Sequence, residues 1–405
     1  MSEKPATLPN MRLNVLILSL CQACLFTANA VLIASAALVG FALAPDPMYA
    51  TVPVGAVFLF GMGFALPASI LMKYIGRRKG FQLGLVFSIS GACLSGFAVT
   101  QQSFVLFCFG IALIGVGNAF GGFYRFAAAD VSTESYRSRA ISYVLAGSVV
   151  AAFIGPNLVA FTKNSIIEAA FAGSYYTLAL VYSISLILVS FLKVPEAKKS
   201  NVIEEKRPLR EVAKQPEFLL AVVSATVGYG VMNLLMTSTP LAMNVRDMSF
   251  GLTALVIQWH IFSMFAPSFF TGHLVRIFGD LSVIGAGVVL LFLSILVSFV
   301  LGDSFLAFCL ALVLLGLGWN FTFLGGTTLL TKTYRDSEKA VVQGVNDLCV
   351  FSIVTCTAIL SGVLHHIWGW YILNAGATLP LILVAMMVIW VKRSRVTSPT
   401  TSPVT

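Results

Sequence analysis

The amino-acid sequence predicts an all-α integral membrane protein with twelve transmembrane helices in two pseudo-symmetric six-helix bundles. Its 405 residues are 58% hydrophobic and only 10% charged, and the mean hydropathy is +0.93. That composition leaves too little polar surface to cover a water-soluble globule of this size. Long apolar stretches recur along the chain, and the second half resembles the first at an offset of about 200 residues.

Each predicted span is an apolar stretch of the length that crosses a bilayer, about 20 residues. The first stretch is too long for the hydrophobic region of a signal peptide, so we interpret it as the first span. Short connections predict that neighbouring helices are antiparallel. In chain order the predicted spans are 13–43, 49–73, 80–100, 104–129, 140–162, 173–193, 217–242, 251–275, 281–301, 305–330, 339–363 and 369–391.

The connection between the sixth and seventh spans differs from the others. Residues 194–216 mix both charge signs, contain three prolines and include no stretch that could cross a bilayer. This segment divides the chain into six spans and six spans. The predicted organisation is a tail at 1–12, an N-terminal bundle at 13–193, a linker at 194–216, a C-terminal bundle at 217–392 and a tail at 393–405.

The positive charges are distributed unevenly between the two sides of the predicted membrane protein. Of the 25 Lys and Arg residues, 23 fall on one side, and only Lys163 and Arg246 break the pattern. Because positive residues collect in cytoplasmic loops, we expect a multi-pass protein of the cell inner membrane with both termini in the cytoplasm. The same loops account for the net charge of +9 without a nucleic-acid partner.

Two glycine motifs carry the similarity between the halves. Gly76 aligns with Gly279, each between two predicted spans, and Gly115-Val116-Gly117 aligns with Gly316-Leu317-Gly318. A basic loop that enters the next span follows each Gly-x-Gly motif. Duplicated bundles with internal symmetry are typical of transporters that work by alternating access.

The loop after the second span resembles a signature of the major facilitator superfamily, and the similarity extends over nearly the whole chain. Gly76, Arg77 and Arg78 match that signature, whereas Ser69 replaces its first glycine and Lys73 replaces its acidic residue. In the family the acidic residue is associated with a charge-relay latch on the cytoplasmic face. The resemblance therefore implies a conformational role for this loop, but a latch of that form cannot operate with Lys73.

Other partners are available to the arginines of this loop. We expect Arg77 and Arg78 to meet acidic residues such as Asp130 or Glu134; the alternative is that they only anchor the topology. Gly76 and, by the repeat, Gly279 complete this set of gating candidates.

The fifth span partly resembles the Gly-Pro signature of the superfamily's antiporter branches. Gly147 and Gly155-Pro156 match it, but Ala151 and Val159 stand where those branches usually have glycine. Gly155 and Pro156 predict a bend or a close helix contact and are further gating candidates. A simple kink without a role in exchange is the alternative.

Three ionisable residues inside the spans are candidates for proton coupling, because such residues are costly in a bilayer. Asp347 in span eleven comes first, since a carboxyl in an apolar cavity can carry a proton near neutral pH; the alternative is a buried acid that is held neutral or pairs with a cation at a helix end. Arg125 near the end of span four either faces the cavity or extends to the membrane surface. His260 in span eight either shuttles protons or makes one fixed hydrogen bond.

Polar and aromatic side chains on several spans are the candidates for substrate contact. In the superfamily, spans 1, 4, 7 and 10 lie nearest the substrate, and Gly228, Gly230 and Pro240 are predicted to interrupt span 7. Polar residues in spans face inward, either to bind substrate or to join helices. The candidates are Gln22, Asn29, Asn233, Gln258, Trp259, Trp319 and Asn320.

These observations favour a secondary active transporter of a small organic molecule, and we expect it to be monomeric and coupled to protons or another ion. No catalytic constellation, metal-ligand cluster or nucleotide-binding loop is recognisable, so we expect neither an enzyme nor a cofactor. Segments 125–130, 258–260 and 265–270 resemble a bacterial permease subgroup associated with riboflavin uptake. Uptake of such a vitamin and efflux of drug-like compounds both fit, and a membrane sensor or scaffold without flux is the alternative.

Overall fold

The computed structural model describes residues 10–133, 136–193, 207–335 and 338–397, and these residues are almost entirely helical. Parts of the predicted tails and linker, together with Glu134, lie outside the described residues. Where the linker is described, it contains only one helical turn, α8. This short segment leads directly into the first helix of the second half.

The first half contains seven helices and one turn of 3-10 helix at Pro47–Tyr49. The helices follow the predicted apolar stretches closely. They are α1 Met11–Leu43, α2 Val52–Ile75, α3 Arg77–Thr100, α4 Phe104–Gly121, α5 Tyr124–Asp130, α6 Arg137–Thr162 and α7 Ala172–Ser190.

The second half follows the short helix of the linker. Its helices are α8 Leu209–Val212, α9 Pro216–Asn244, α10 Phe250–Phe265, α11 Ser268–Phe278, α12 Asp280–Val300, α13 Phe305–Leu330 and α14 Lys339–Thr397.

Twelve membrane crossings can be assigned within the described ranges, as predicted. Span four is divided into α4 and α5 at Gly122, and span eight is divided into α10 and α11, which meet at an angle of 43°. Pro267 lies at the second break. Proline favours a break there because it lacks the N–H that would continue the helix. The helix α14 contains two crossings that meet at Gly369, which has φ 71° and ψ 179°.

The prediction of a loop between the last two spans is wrong. Residues 364–368, including His365 and His366, are helical and continue the eleventh span up to Gly369. No proline or glycine interrupts these five residues, so the helix ends only where glycine permits a positive φ. The predicted interruption of span seven is also wrong, because α9 runs unbroken through Gly228, Gly230 and Pro240.

The Gly-x-Gly motifs allow equivalent close contacts in the two halves. A Cβ atom on Gly115 would meet α2 and one on Gly117 would meet α3. In the second half, a Cβ atom on Gly316 would meet α10 and one on Gly318 would meet α12. Small residues allow helix backbones to approach closely in membranes. Each half therefore packs its fourth helix against its second and third in the same way.

Gly76 and Gly279 adopt nearly the same backbone conformation. Gly76 has φ 85° and ψ 157°, and Gly279 has φ 81° and ψ 158°. Each glycine both ends one helix and begins the next, α2 to α3 and α11 to α12. Glycine is the residue that adopts such positive φ values without a steric cost. The alignment made from the sequence thus corresponds to a shared turn.

We call the end of the molecule that carries this turn the basic face, defined by Lys73, Arg77, Arg78 and Arg276, and the other end the opposite face. An ion pair follows the shared turn in each half. Arg77 Nε lies 3.2 Å from Oδ2 of Asp130, and Lys332 Nζ lies 2.6 Å from Oδ2 of Asp280. The order of charges is inverted, since the cation follows Gly76 whereas the anion follows Gly279.

A stronger contact at the basic face joins the end of the linker to the loop before α14. The guanidinium of Arg207 donates to both carboxylate oxygens of Glu338, at 2.8 and 2.7 Å, and to the carbonyl oxygen of Thr333 at 3.2 Å. The backbone N–H groups of Arg207 and Arg335 also donate to Glu338. These donors lower the pKa of Glu338 to about 2.

Replacing Gly279 by alanine tests the shared turn. We expect Gly279→Ala to lower the free energy of unfolding by about 1 to 2 kcal/mol, because an L residue is strained at positive φ. Gly272→Ala, in α11, is the matched control, since both positions have open space around a Cβ atom but Gly272 lacks the positive φ. Unfolding by SDS titration measures both. Equal effects of the two substitutions would contradict the assignment.

The Arg207–Glu338 contact predicts a specific pH dependence. A carboxylate with a lowered pKa stabilises the fold above its unfolded pKa of about 4.3. This contribution is lost as the pH falls toward the folded pKa of about 2. We expect Glu338→Gln to lower the melting temperature in detergent at pH 7, and the difference from the native chain to shrink below pH about 5. Glu217→Gln removes the more exposed pair with Arg395 and should have a smaller effect.

Candidate functional site

The two halves meet at the opposite face through Thr51, at the start of α2. Its Oγ1 donates to the carbonyl oxygen of Ile359 at 2.9 Å and accepts from the backbone N–H of Gly362 at 2.9 Å. Gly55, one turn further along α2, packs directly on Ile359. These contacts form a seam between α2 and the first part of α14.

A second seam joins α6 and the loop after it to α10. Asn157 Nδ2 donates to Oε1 of Gln258 at 2.6 Å. The Nζ of Lys163 lies 4.9 Å from the centre of the Phe250 ring, and the ring of Phe171 is 5.3 Å from the same centre. Phe171 has φ 71°, an unusual conformation for a bulky residue. The ring of Phe250 is therefore held by two residues of the other half.

Toward the middle of the molecule, Phe26 contacts Phe265 at 5.1 Å between ring centres, and Met62 Sδ lies 3.8 Å from the Ser352 hydroxyl. At the basic face, by contrast, none of the four ion pairs described or named above joins the N-terminal bundle to the C-terminal bundle. These contacts between the halves lie from the middle of the molecule to the opposite face. We call the space between the halves on the other side of these contacts, toward the basic face, the candidate site.

Arg125 of α5 and Asp347 of α14 carry opposite charges into this space from opposite halves. Both side chains are exposed, and their charges interact electrostatically. Neither has an ion-pair partner within 4.0 Å among the described residues. Asp347 Oδ1 accepts from Asn346 Nδ2 at 3.1 Å, and the guanidinium of Arg125 lies 4.8 Å from the centre of the Phe126 ring.

An aromatic cluster lies between the second-half helices α9, α10, α13 and α14. Tyr229 is at its centre, with ring-centre distances of 5.3 Å to Trp319, 5.5 Å to Phe323 and 6.2 Å to Phe351. Trp319 also contacts Phe265, which reaches Phe26 of the first half. Within the described residues, the buried Nε1 of Trp319 has no hydrogen-bond partner.

Three of the predicted polar residues lie on the helices that surround this space. Asn29 Oδ1 accepts from Asn118 Nδ2 at 2.8 Å, which joins α1 to α4. Asn233 Nδ2 donates to the carbonyl oxygen of Val354 at 3.0 Å, while its Oδ1 is buried without a partner in the described part of the chain. Gln22 is buried on α1.

For Asn320 and His260 the structure favours the alternative of fixed structural contacts. Asn320 is fully buried, and its amide bonds to Met264, Ser268 and Thr271, each at 2.7 Å, which holds the bend between α10 and α11. The Nδ1 of His260, also fully buried, is 2.7 Å from the carbonyl oxygen of Leu312. Since a carbonyl oxygen only accepts, Nδ1 carries the hydrogen.

The structure does not bring Trp259 and Gln258 to the aromatic cluster. Trp259 is 44% exposed, and its ring contacts Phe153 and Phe262. Gln258 takes part in the seam with Asn157. Gly155 and Pro156 lie on the buried side of α6, where a Cβ atom on Gly155 would meet Ala30 of α1. That site of close helix approach explains why glycine stands there.

Several residues of the seams were not singled out from the sequence. Asn118 follows directly on the Gly115-Val116-Gly117 motif, and Asn157 follows directly on Pro156, so proximity to helix-packing motifs was an available signal. Thr51 and Phe250 carried no such signal, because they lie at the ends of predicted spans, where threonine and phenylalanine are common.

Comparisons with known proteins agree with this architecture. The sequence model of the Major Facilitator Superfamily matches residues 18–280 and 249–404. The riboflavin transporter RfnT of Brucella anthropi is 37% identical over 369 residues, which cover 90% of this chain and 92% of that protein. The uncharacterized MFS-type transporter YddS of Bacillus subtilis is 29% identical and covers 83% of this chain and 81% of its own length.

Solved structures show the same fold. A bacterial homolog of the human lysosomal transporter Spinster, in an inward-facing and unoccupied conformation, has a TM-score of 0.72 and 15% identity, covering 97% of this chain and 99% of that one. The human organic anion transporter MFSD10 has a TM-score of 0.67 and 14% identity, covering 94% of this chain and 100% of its own. The predicted fold class and family are confirmed: the chain is a multi-pass membrane transporter that belongs to the major facilitator superfamily.

Proposed function

We propose that this protein takes riboflavin into the cell by proton-coupled alternating access. The observation that carries the proposal is the 37% identity to a riboflavin transporter over at least nine-tenths of both chains. The aromatic cluster around Tyr229 supports it, because aromatic rings beside a few polar groups suit a planar, uncharged heterocycle.

The orientation follows from the charge distribution. Positive residues favour the cytoplasmic side of a membrane, so the basic face lies in the cytoplasm, with both termini, and the protein resides in the inner membrane. In this orientation the seams at Thr51 and Phe250 close the outer side, and the candidate site faces inward. Residues 13–193 and 217–392 rock as two units of a monomer.

Roles follow for the residues that surround the cavity. Asp347, with Arg125 beside it, carries the coupling proton, because it is an exposed carboxyl within a span that has no ion-pair partner among the described residues. Asn29, Asn233 and Trp319 contribute to substrate binding. The gating residues support the rocking of the halves. They are Gly76 and Gly279 at the paired turns, Arg77 in its ion pair, Arg78 next to it, and Gly155 and Pro156 at the close contact with α1.

Transport of riboflavin is directly measurable. We expect a bacterium that cannot synthesise riboflavin to grow at a limiting vitamin concentration when it expresses this protein, and the purified protein to accumulate labelled riboflavin in proteoliposomes with an acidic exterior. Empty liposomes are the control. Binding of riboflavin without any flux would instead favour a sensor, and export from cells loaded with a dye would favour drug efflux.

A reversible cross-link tests alternating access. In a background without the seven native cysteines, Thr51→Cys with Gly362→Cys should form a disulfide across the α2–α14 seam, because a Cβ atom on Gly362 would lie 2.7 Å from Thr51 Oγ1. Oxidation should abolish riboflavin uptake, and a thiol reductant should restore it.

A second cysteine pair controls for the chemistry of oxidation. Ser224→Cys with Gly326→Cys joins α9 to α13 within one half, and the corresponding distance is 2.6 Å. Uptake should survive oxidation of this pair. Continued uptake by the fully cross-linked Thr51–Gly362 pair would contradict the rocking mechanism.

A further inference from the structure

Arg125 and Asp347 stand out among the charged residues of the spans. None of the four ion pairs described above joins the two bundles. Arg125 and Asp347 belong to opposite bundles and have no ion-pair partner within 4.0 Å among the described residues. Unpaired charges within a membrane protein are costly and mark functional groups. Both side chains are exposed and their charges interact, so a molecule that bridges them would be a partner for both.

Aromatic rings lie next to each charge. Phe126 follows Arg125 and stacks beneath its guanidinium, at 4.8 Å. Phe351 lies one helical turn after Asp347, on the same face of α14, and its ring centre is 6.2 Å from that of Tyr229. The two charges are therefore placed at the edge of aromatic walls, as recognition of a planar ring with a polar edge requires.

Riboflavin has such an edge, and it is uncharged. Along one side of its ring system lie a carbonyl group, an imide N–H and a second carbonyl group. We propose that Arg125 and Asp347 bind this edge from the two halves: Arg125 donates to one carbonyl oxygen, while protonated Asp347 accepts the imide N–H and donates its O–H to the other carbonyl oxygen. This inference rests on the proposed function, since it names the contacts that select riboflavin.

The arrangement explains how a proton and a neutral substrate are coupled. An ionised carboxylate can accept the imide N–H, but it places a second acceptor against the neighbouring carbonyl oxygen. A protonated carboxyl matches both groups. By linkage, a proton on Asp347 strengthens riboflavin binding and riboflavin strengthens proton binding by the same factor.

Arg125 and the neutral amide of Asn346 are the described groups that act on Asp347. The other titratable or charged groups on helices packed against α14 lie near helix ends, apart from Tyr229 in the middle of α9. They are Lys73 and Tyr74 on α2, Tyr49 on the 3-10 turn, Glu217 on α9, which pairs with Arg395, and Asp280 on α12, which pairs with Lys332.

Quenching of riboflavin fluorescence measures binding to the purified native protein in lipid nanodiscs. One matched pair of ligands tests the proposal. 3-Methylriboflavin differs from riboflavin only in that a methyl group replaces the hydrogen of the imide N–H. We expect the native protein to bind the methylated ligand at least about tenfold more weakly, because the carboxyl of Asp347, once covered by the ligand, then has no donor. Riboflavin binding should also weaken as the pH rises from 5.5 to 8.

Variants test whether Asp347 causes both the discrimination between the two ligands and the pH dependence of riboflavin binding. Asp347→Asn offers the same acceptor and an N–H donor without a titratable proton, so it should keep the discrimination between the ligands but lose the pH dependence. Asp347→Leu should lose the discrimination. Glu168→Gln changes an exposed acid at the opposite face and should behave like the native protein.

Three results would overturn the inference. These are equal binding of the two ligands by the native protein, discrimination that persists in Asp347→Leu, and recovery of transport by the charge swap Arg125→Asp with Asp347→Arg. The last result would show that the two residues pair with each other as a gate. Failure of the folded native protein to bind riboflavin at all would contradict the proposed function itself.

Discussion

The cost of an unpaired charge in a membrane is the constraint on which the rest of this structure depends. The chain meets it by pairing charges within each half: Arg77 with Asp130 and Lys332 with Asp280 at the basic face, and Arg246 with Asp303 at the opposite face. Contacts between the halves are different in kind. They are neutral hydrogen bonds and ring contacts, with Lys163 against Phe250 as the one cation in the seams described above. Neutral contacts of this sort contribute about 1 kcal/mol each, so the halves can separate without breaking an ion pair.

The two halves also show what a duplicated fold retains. Gly76 and Gly279 keep the same backbone turn, and the Gly-x-Gly motifs keep the same close helix contacts. The charges around the turn are inverted between the halves, because the turn needs glycine whereas an ion pair works in either order. Lys73 fits this interpretation: Arg77 pairs with Asp130, so the loop keeps an ion pair without an acidic residue at position 73.

The sequence predicted the spans and the repeat well, because apolar length and glycine spacing are local properties. It failed where tertiary contacts decide: residues 364–368 are helical, and α9 runs through its glycines, where Gly228 and Gly230 instead admit the side chains of Thr322 and Ile353. Pairs such as Asn157 with Gln258 are 101 residues apart and cannot be read from local patterns. For the same reason Trp259 and Trp319 looked alike in the sequence, although only Trp319 joins the aromatic cluster.

If riboflavin and a proton cross the membrane together, joined at Asp347, then riboflavin must move protons. A pH-sensitive dye inside proteoliposomes measures this on addition of external riboflavin, without any imposed gradient. We expect the interior to acidify when riboflavin is added, and not to do so in Asp347→Asn. Riboflavin entry without a change of internal pH would contradict this coupling.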